Sequence, residues 1–77
     1  MSRQLKKATH EIQDYTAVIP KIQNIYPVEE ARSIGWEFGF KYESGIFEFF
    51  NYKNKSQAEF DRRKLLEAVD NYYATGG

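Results

Sequence analysis

The single histidine of the chain stands in Thr9-His10-Glu11-Ile12-Gln13-Asp14, an H-E-x-x-D run one residue type away from the H-E-x-x-H signature of zinc proteases. That chemistry needs two helix-borne ligands one turn apart, a third ligand elsewhere and a glutamate base. Here Asp14 replaces the second histidine, and there is no further His and no Cys to complete the set. On a helix His10 would also lie opposite the apolar stripe. The expectation is an exposed histidine beside a carboxylate, with no metal and no cofactor.

Nucleophilic and acid–base chemistry fare no better. There is no cysteine, no G-x-S-x-G elbow and no glycine-rich phosphate loop. Glu29 and Glu30 are paired carboxylates, but the positive end of a helix explains them. A chain of 77 residues has little room for a water-excluding pocket beside its core. The chain is expected not to be an enzyme.

Nucleic-acid binding has more to offer. Eleven basic and eleven acidic residues cancel, so no overall field steers the chain to nucleic acid or anionic lipid. The charges are nevertheless segregated. Lys53, Lys55, Arg62, Arg63 and Lys64 outnumber Glu59 and Asp61 over residues 51–64, whereas acids dominate residues 29–48. The basic stretch adjoins Phe50, Tyr52 and Phe60, and cations beside rings are what single-strand binders use. Against this, nucleic-acid domains usually have a high pI, and this chain has one near 6.6. Single-stranded RNA or DNA is therefore the alternative partner.

The aromatic residues point elsewhere. Eight of the thirteen rings lie between Trp36 and Tyr52. There Trp36, Phe38, Phe40 and Tyr42 alternate with Glu37, Gly39, Lys41 and Glu43, the period of a half-buried strand. Ser44-Gly45 reads as a turn, and residues 46–52 as the returning strand. A two-residue loop pairs Lys41 with Glu48, a favourable cross-strand pair, and sets Phe40 beside Phe49 and Tyr42 beside Phe47. A three-residue loop ending at Gly45 would put Phe40 opposite Glu48 instead. The first register is preferred, and it places Phe50 across from Gly39, a ring covering a strand glycine. It gathers Trp36, Phe38, Phe40, Tyr42, Phe47 and Phe49 on an inner face and leaves Ile46, Phe50 and Tyr52 outside. An apolar outer set rimmed by charges resembles an interface patch. Ile46, Phe50, Tyr52 and Phe60 are thus the expected partner-binding residues, since large rings in a desolvated patch tend to dominate binding. The unpaired hairpin edges could also add strands from a second chain.

The elements that must position these residues follow from periodicity. Leu5, Ala8, Ile12, Tyr15, Ile19, Ile22 and Tyr26 recur at spacings of three and four, which predicts an amphipathic helix over residues 3–18, kinked or broken at Pro20. A coiled-coil seam is a poorer reading, with tyrosines and an alanine on the stripe. Pro27, Glu29, Glu30 and Gly35 predict a short helix over residues 27–34. Ser56-Gln57-Ala58-Glu59 reads as a capping box before a closing helix from Gln57 to about Tyr73, with Ala58, Leu65, Leu66, Val69, Tyr72 and Tyr73 on one face. The expected architecture is a small two-layer α+β domain spanning residues 1–77: N-terminal helix, short helix, antiparallel β-hairpin and C-terminal helix, with residues 74–77 a frayed tail.

No apolar run approaches the ~18 residues of a membrane span, and no apolar stretch follows the basic N-terminus as a signal peptide would need. A cytoplasmic setting without a membrane partner is the expectation, and the lack of cysteine agrees with it. A chain this small buries only about 60% of its unfolded surface, so a partner chain, a homodimer included, would help it fold. No motif points to a named family. In size, absence of cysteine and richness in Lys, Asn, Tyr and Phe, the chain resembles the small accessory proteins of tailed phages. That resemblance implies a protein that binds and blocks another protein. The leading expectation is a non-enzymatic protein-binding module, an inhibitor or adaptor, acting through the aromatic hairpin. Single-stranded nucleic-acid binding comes second and a structural homo-oligomeric subunit third.

Overall fold

A computed structural model describes residues 8–74 of the chain. Its elements run β1 (Thr9–Ile12), β2 (Tyr15–Val18), a 3-10 turn (Ile19–Lys21), β3 (Ile22–Ile25), β4 (Glu29–Glu30), β5 (Trp36–Tyr42), β6 (Phe47–Tyr52) and α1 (Lys55–Ala74). The fold is a small α+β one with six strands in two sheets and a single, C-terminal helix among the described residues. The expected N-terminal helix and short helix are both absent there, and residues 3–7 of the former lie outside the described residues. Of the expected tail, Ala74 closes α1 and residues 75–77 lie outside as well.

The helical spacing over the first third of the chain is an alias of a hairpin. Strands β1 and β2 pair antiparallel, with Ile12 opposite Tyr15 and His10 opposite Ala17. Residues two apart within each strand face the core, and the two-residue turn Gln13-Asp14 inserts a step of three. A period of two broken by tight turns thus produces threes and fours. The residue types had favoured strands, because Thr9, Ile12, Thr16, Val18, Ile19, Ile22 and Ile25 are all β-branched. Pro20 neither kinks nor caps an α-helix; it sits in the 3-10 turn that leads from β2 to β3.

Residues 22–30 form one edge of the larger sheet. Ile25 pairs with Phe40, and further along the same side of β5 Glu29 pairs with Glu37 and Glu30 with Trp36. The helix cues of this stretch are real, but eight residues cannot hold a helix alone, and the edge of β5 offers backbone partners instead. Gly35 ends a turn in which the Ala31 N–H donates to the Gly35 carbonyl (2.9 Å).

The central hairpin forms as expected, in the other register. The Tyr42 N–H donates to the Ile46 carbonyl (2.8 Å) and the Gly45 N–H to the Tyr42 carbonyl (2.9 Å), so the loop has three residues, Glu43–Gly45. Gly45 takes φ +95°, where a side chain is disfavoured and glycine is not. Phe40 therefore faces Glu48, Phe38 faces Phe50 and Trp36 faces Tyr52.

Helix α1 covers the inner face of this sheet through Ala58, Leu65 and Val69. It starts at Lys55, with the Ala58 N–H bonded to the Asn54 carbonyl, two residues before the expected first residue. Ile12 and Ala17 of the first hairpin join Phe38, Phe40, Phe50, Tyr52, Ala58 and Leu65 in one buried cluster. The ring centroids of Phe50 lie 5.7 Å from Phe38, 5.8 Å from Phe40 and 5.8 Å from Tyr15. Each such ring, fully buried, contributes roughly 1.5–3 kcal/mol of transfer free energy.

Candidate binding face of the sheet

A slip of one residue in a strand pair turns every side chain to the opposite face. The three-residue loop does this to β6. Phe50 and Tyr52, expected outside, lie in the core at 5% and 9% exposure. Phe47 and Phe49, expected inside, are half exposed at 52% and 51%. Phe50 and Tyr52 are therefore corrected from the partner-facing set to the core.

Tyr52 has a second anchor. Its hydroxyl donates to Asp61 Oδ2 at 2.8 Å and ties β6 to α1. Burial, and then this hydrogen bond to a carboxylate, push its phenol well above the ordinary value. Tyr15 is raised in the same direction, by burial first and then by its hydroxyl contact with Tyr42 Oη at 2.7 Å. The Val18 N–H donates to that Tyr42 oxygen at 3.2 Å, which locks the first hairpin to the end of β5.

The outer face is built from every second residue of two strands and from Tyr26, just past a third. From β5 come Glu37, Gly39 and Lys41, and from β6 come Phe47, Phe49 and Asn51. Tyr26 follows β3, and its N–H donates to the Gly39 carbonyl (2.8 Å). Across Gly39, Tyr26 meets Phe49 at 6.2 Å between centroids and 16° between planes. Tyr26 and Phe47 are also 6.2 Å apart, at 24°, as are Phe47 and Phe49, at 9°. Three nearly parallel rings thus form an equilateral platform. Lys41 Nζ stands 5.6 Å from the Phe47 centroid, within cation–π range.

Gly39 makes the platform possible. A Cβ there would run into the Glu48 carbonyl and the ring of Phe49. The ring-over-glycine relationship expected for Phe50 is made by Phe49, the directly opposed residue. The backbone of Tyr26 is held from the other side as well, because Arg62 Nε of α1 donates to its carbonyl at 2.9 Å. Beside the platform, Tyr26, Pro27, Glu29, Glu37, Phe38 and Phe49 line an open cleft of about 270 Å³.

The remaining expected site residues are scattered. Ile46 is 54% and Phe60 50% exposed, but Ile46 belongs to the hairpin and Phe60 to α1. Lys55 Nζ stands 5.2 Å from the Trp36 ring, Lys64 Nζ 3.5 Å from Glu67 Oε1 and 5.9 Å from the Phe60 ring. Arg62 and Arg63 line a cleft of about 390 Å³ with Pro27, Val28, Glu59 and Leu66. Lys53 is exposed in the link to α1. The helix that carries four of these cations packs on the face opposite the ring platform. His10 and Asp14 lie on β1 and in its turn, not on a helix, and no group of three metal-ligating residues occurs among the described residues. No helix is long and apolar enough to cross a membrane among the described residues.

Compared with protein-family models, curated proteins and solved structures, the chain matches no family and resembles no curated protein or solved structure significantly.

Proposed function

We propose that the chain is a small non-enzymatic protein-binding module that works through the outer face of its sheet as an inhibitor or adaptor. The observation that carries this reading is the stacked set of partly buried Tyr26 with half-exposed Phe47 and Phe49, while the equivalent rings of the other face build the core. A contiguous ring cluster with a mixed charged rim is the composition of an interface centre. The test compares protein capture by the wild type and by Phe47→Ala and Phe49→Ala, with nuclease present throughout. A captured protein that both substitutions lose, while circular dichroism stays native, supports the reading. Identical capture by all three chains overturns it.

A second copy of the chain is the second reading, favoured by the open edge of β6. Ile46 hydrogen-bonds toward β5, so by alternation the backbone groups of Phe47, Phe49 and Asn51 point away from it. Only the Asn51 carbonyl has a described partner on that side, the Gln13 amide at 2.9 Å. An open edge is a template for pairing. Sedimentation over a concentration series decides this reading, and a monomer throughout removes it. Single-stranded nucleic acid draws less support, because the exposed ring platform and the α1 cations Lys55, Arg62, Arg63 and Lys64 lie on opposite sides of the sheet. Titration with mixed single-stranded oligonucleotides at low salt tests it.

A further inference from the structure

Glu29 and Glu37 are directly opposed partners across β4 and β5. Like charges in that position destabilise a sheet. No described cation lies within ion-pair distance of either carboxylate; the ion pair found among the described residues is Lys64–Glu67. Glu29 and Glu37 both line the 270 Å³ cleft beside the platform, together with Tyr26 and Phe49. One open cleft with two acids and two aromatic residues around it suits a cation. Its volume lies below the roughly 300–1,000 Å³ of small-molecule sites, which fits one side chain better than a whole cofactor.

We propose that this cleft receives an arginine side chain of the protein partner. The proposal rests on the reading of the outer face as a protein-binding surface and specifies the chemistry of its partner. A guanidinium is planar, stacks on aromatic faces and carries donors enough to reach two carboxylates at once, which a compact ammonium does less well. Seated in the cleft against Tyr26 and Phe49, it would cancel the repulsion between Glu29 and Glu37.

The probe is N-acetyl-arginine amide, titrated into the isotope-labelled chain and followed by amide chemical shifts. N-acetyl-citrulline amide, of nearly the same shape but neutral, is the control. The arginine compound should shift the amides of Tyr26, Glu29, Glu37 and Phe49, and the citrulline compound should not. The Glu29→Gln/Glu37→Gln variant should bind the arginine compound roughly ten-fold more weakly, with its own spectrum still that of the native fold. Equal shifts from both compounds, shifts confined to other residues, or no shifts overturn the proposal. These outcomes are separable from those of the wider reading. If Phe47→Ala and Phe49→Ala lose the captured protein but arginine does not bind, only the cleft assignment fails. If arginine binds and the ring substitutions change nothing in capture, the protein-binding surface fails and the cation site stands.

Discussion

The ring of Phe49 lies over Gly39, its directly opposed partner across the central hairpin, and takes the space a side chain would fill. One flank of that glycine holds Phe49 and the other Tyr26, whose rings stack on each other. Gly39→Ala should destabilise the chain by about 1–3 kcal/mol in urea unfolding, because the added methyl meets backbone as well as a ring. Removing the ring in Gly39→Ala/Phe49→Ala should not restore stability, since the Glu48 carbonyl still blocks the position.

The loop that sets the register can be tested separately. Gly45 has open space around its Cα, so Gly45→Ala pays only for its left-handed backbone, about 1–2 kcal/mol, and Gly45→Asn less. A type I′ two-residue loop also holds its second residue at positive φ, so the substitution tests the left-handed backbone at Gly45. An alanine tolerated at no cost in thermal unfolding would contradict that conformation.

The two faces of β6 predict opposite outcomes for neighbouring phenylalanines. Phe50→Ala should cost about 3–5 kcal/mol, the range for a buried ring. Phe49→Ala, half exposed, should cost less than half of that in the same urea series. Equal losses would mean that both rings are core.

Much of this was legible in the sequence and some was not, for identifiable reasons. Residues 36–52 alternate strictly, and a hairpin follows from that alone. Its register did not, because Lys41 opposite Glu48 is a good pair and Gly45 suits either loop. Choosing between them decides which rings are core, so a one-residue ambiguity exchanged Phe47 and Phe49 for Phe50 and Tyr52. The closing helix was evident from its apolar face, although Tyr73, assigned to that face, is 53% exposed. The first hairpin was concealed because its turn, Gln13-Asp14, contains no glycine and holds Gln13 at φ +54°. The spacing of three and four sets Tyr26 on a helical stripe and so hides it as a platform member. Its cue is an aromatic just before Pro27 at the end of a β-branched run.

Alkaline pH should unfold the chain from an identifiable cause. The phenols of Tyr15 and Tyr52 are raised above the ordinary value of 10.0. Below pH about 10 both states hold these protons and stability is level. Above it the unfolded chain releases them while the folded chain retains them, so stability falls as pH rises. Tyr52→Phe should flatten part of that decline. At neutral pH it should cost about 1–2 kcal/mol, because it removes the donor to Asp61. Denaturant midpoints measured from neutral to strongly alkaline pH check both statements.

The opposed acids of the cleft predict a gain. Glu37→Gln should raise stability by about 0.2–1 kcal/mol through relief of the repulsion with Glu29, and high salt should shrink the difference. A lower melting temperature for Glu37→Gln at low salt would show that Glu37 already has a stabilising partner.

The strand bearing the platform has a consequence for how the chain behaves in concentrated solution. Phe47-Glu48-Phe49-Phe50-Asn51-Tyr52 has the composition of a cross-β spine: four aromatics in six residues, one charge and no proline. While the hairpin is closed, Phe50 and Tyr52 are withheld beneath α1 and only alternate rings meet solvent. Partial opening would release all four beside an unpaired edge. Glu48 within the segment and Lys53 and Lys55 directly after it are the charges that disfavour stacking of successive copies. Solubility during expression and storage therefore depends on α1 staying docked, and neutralising those three charges should shorten the lag before fibrils form.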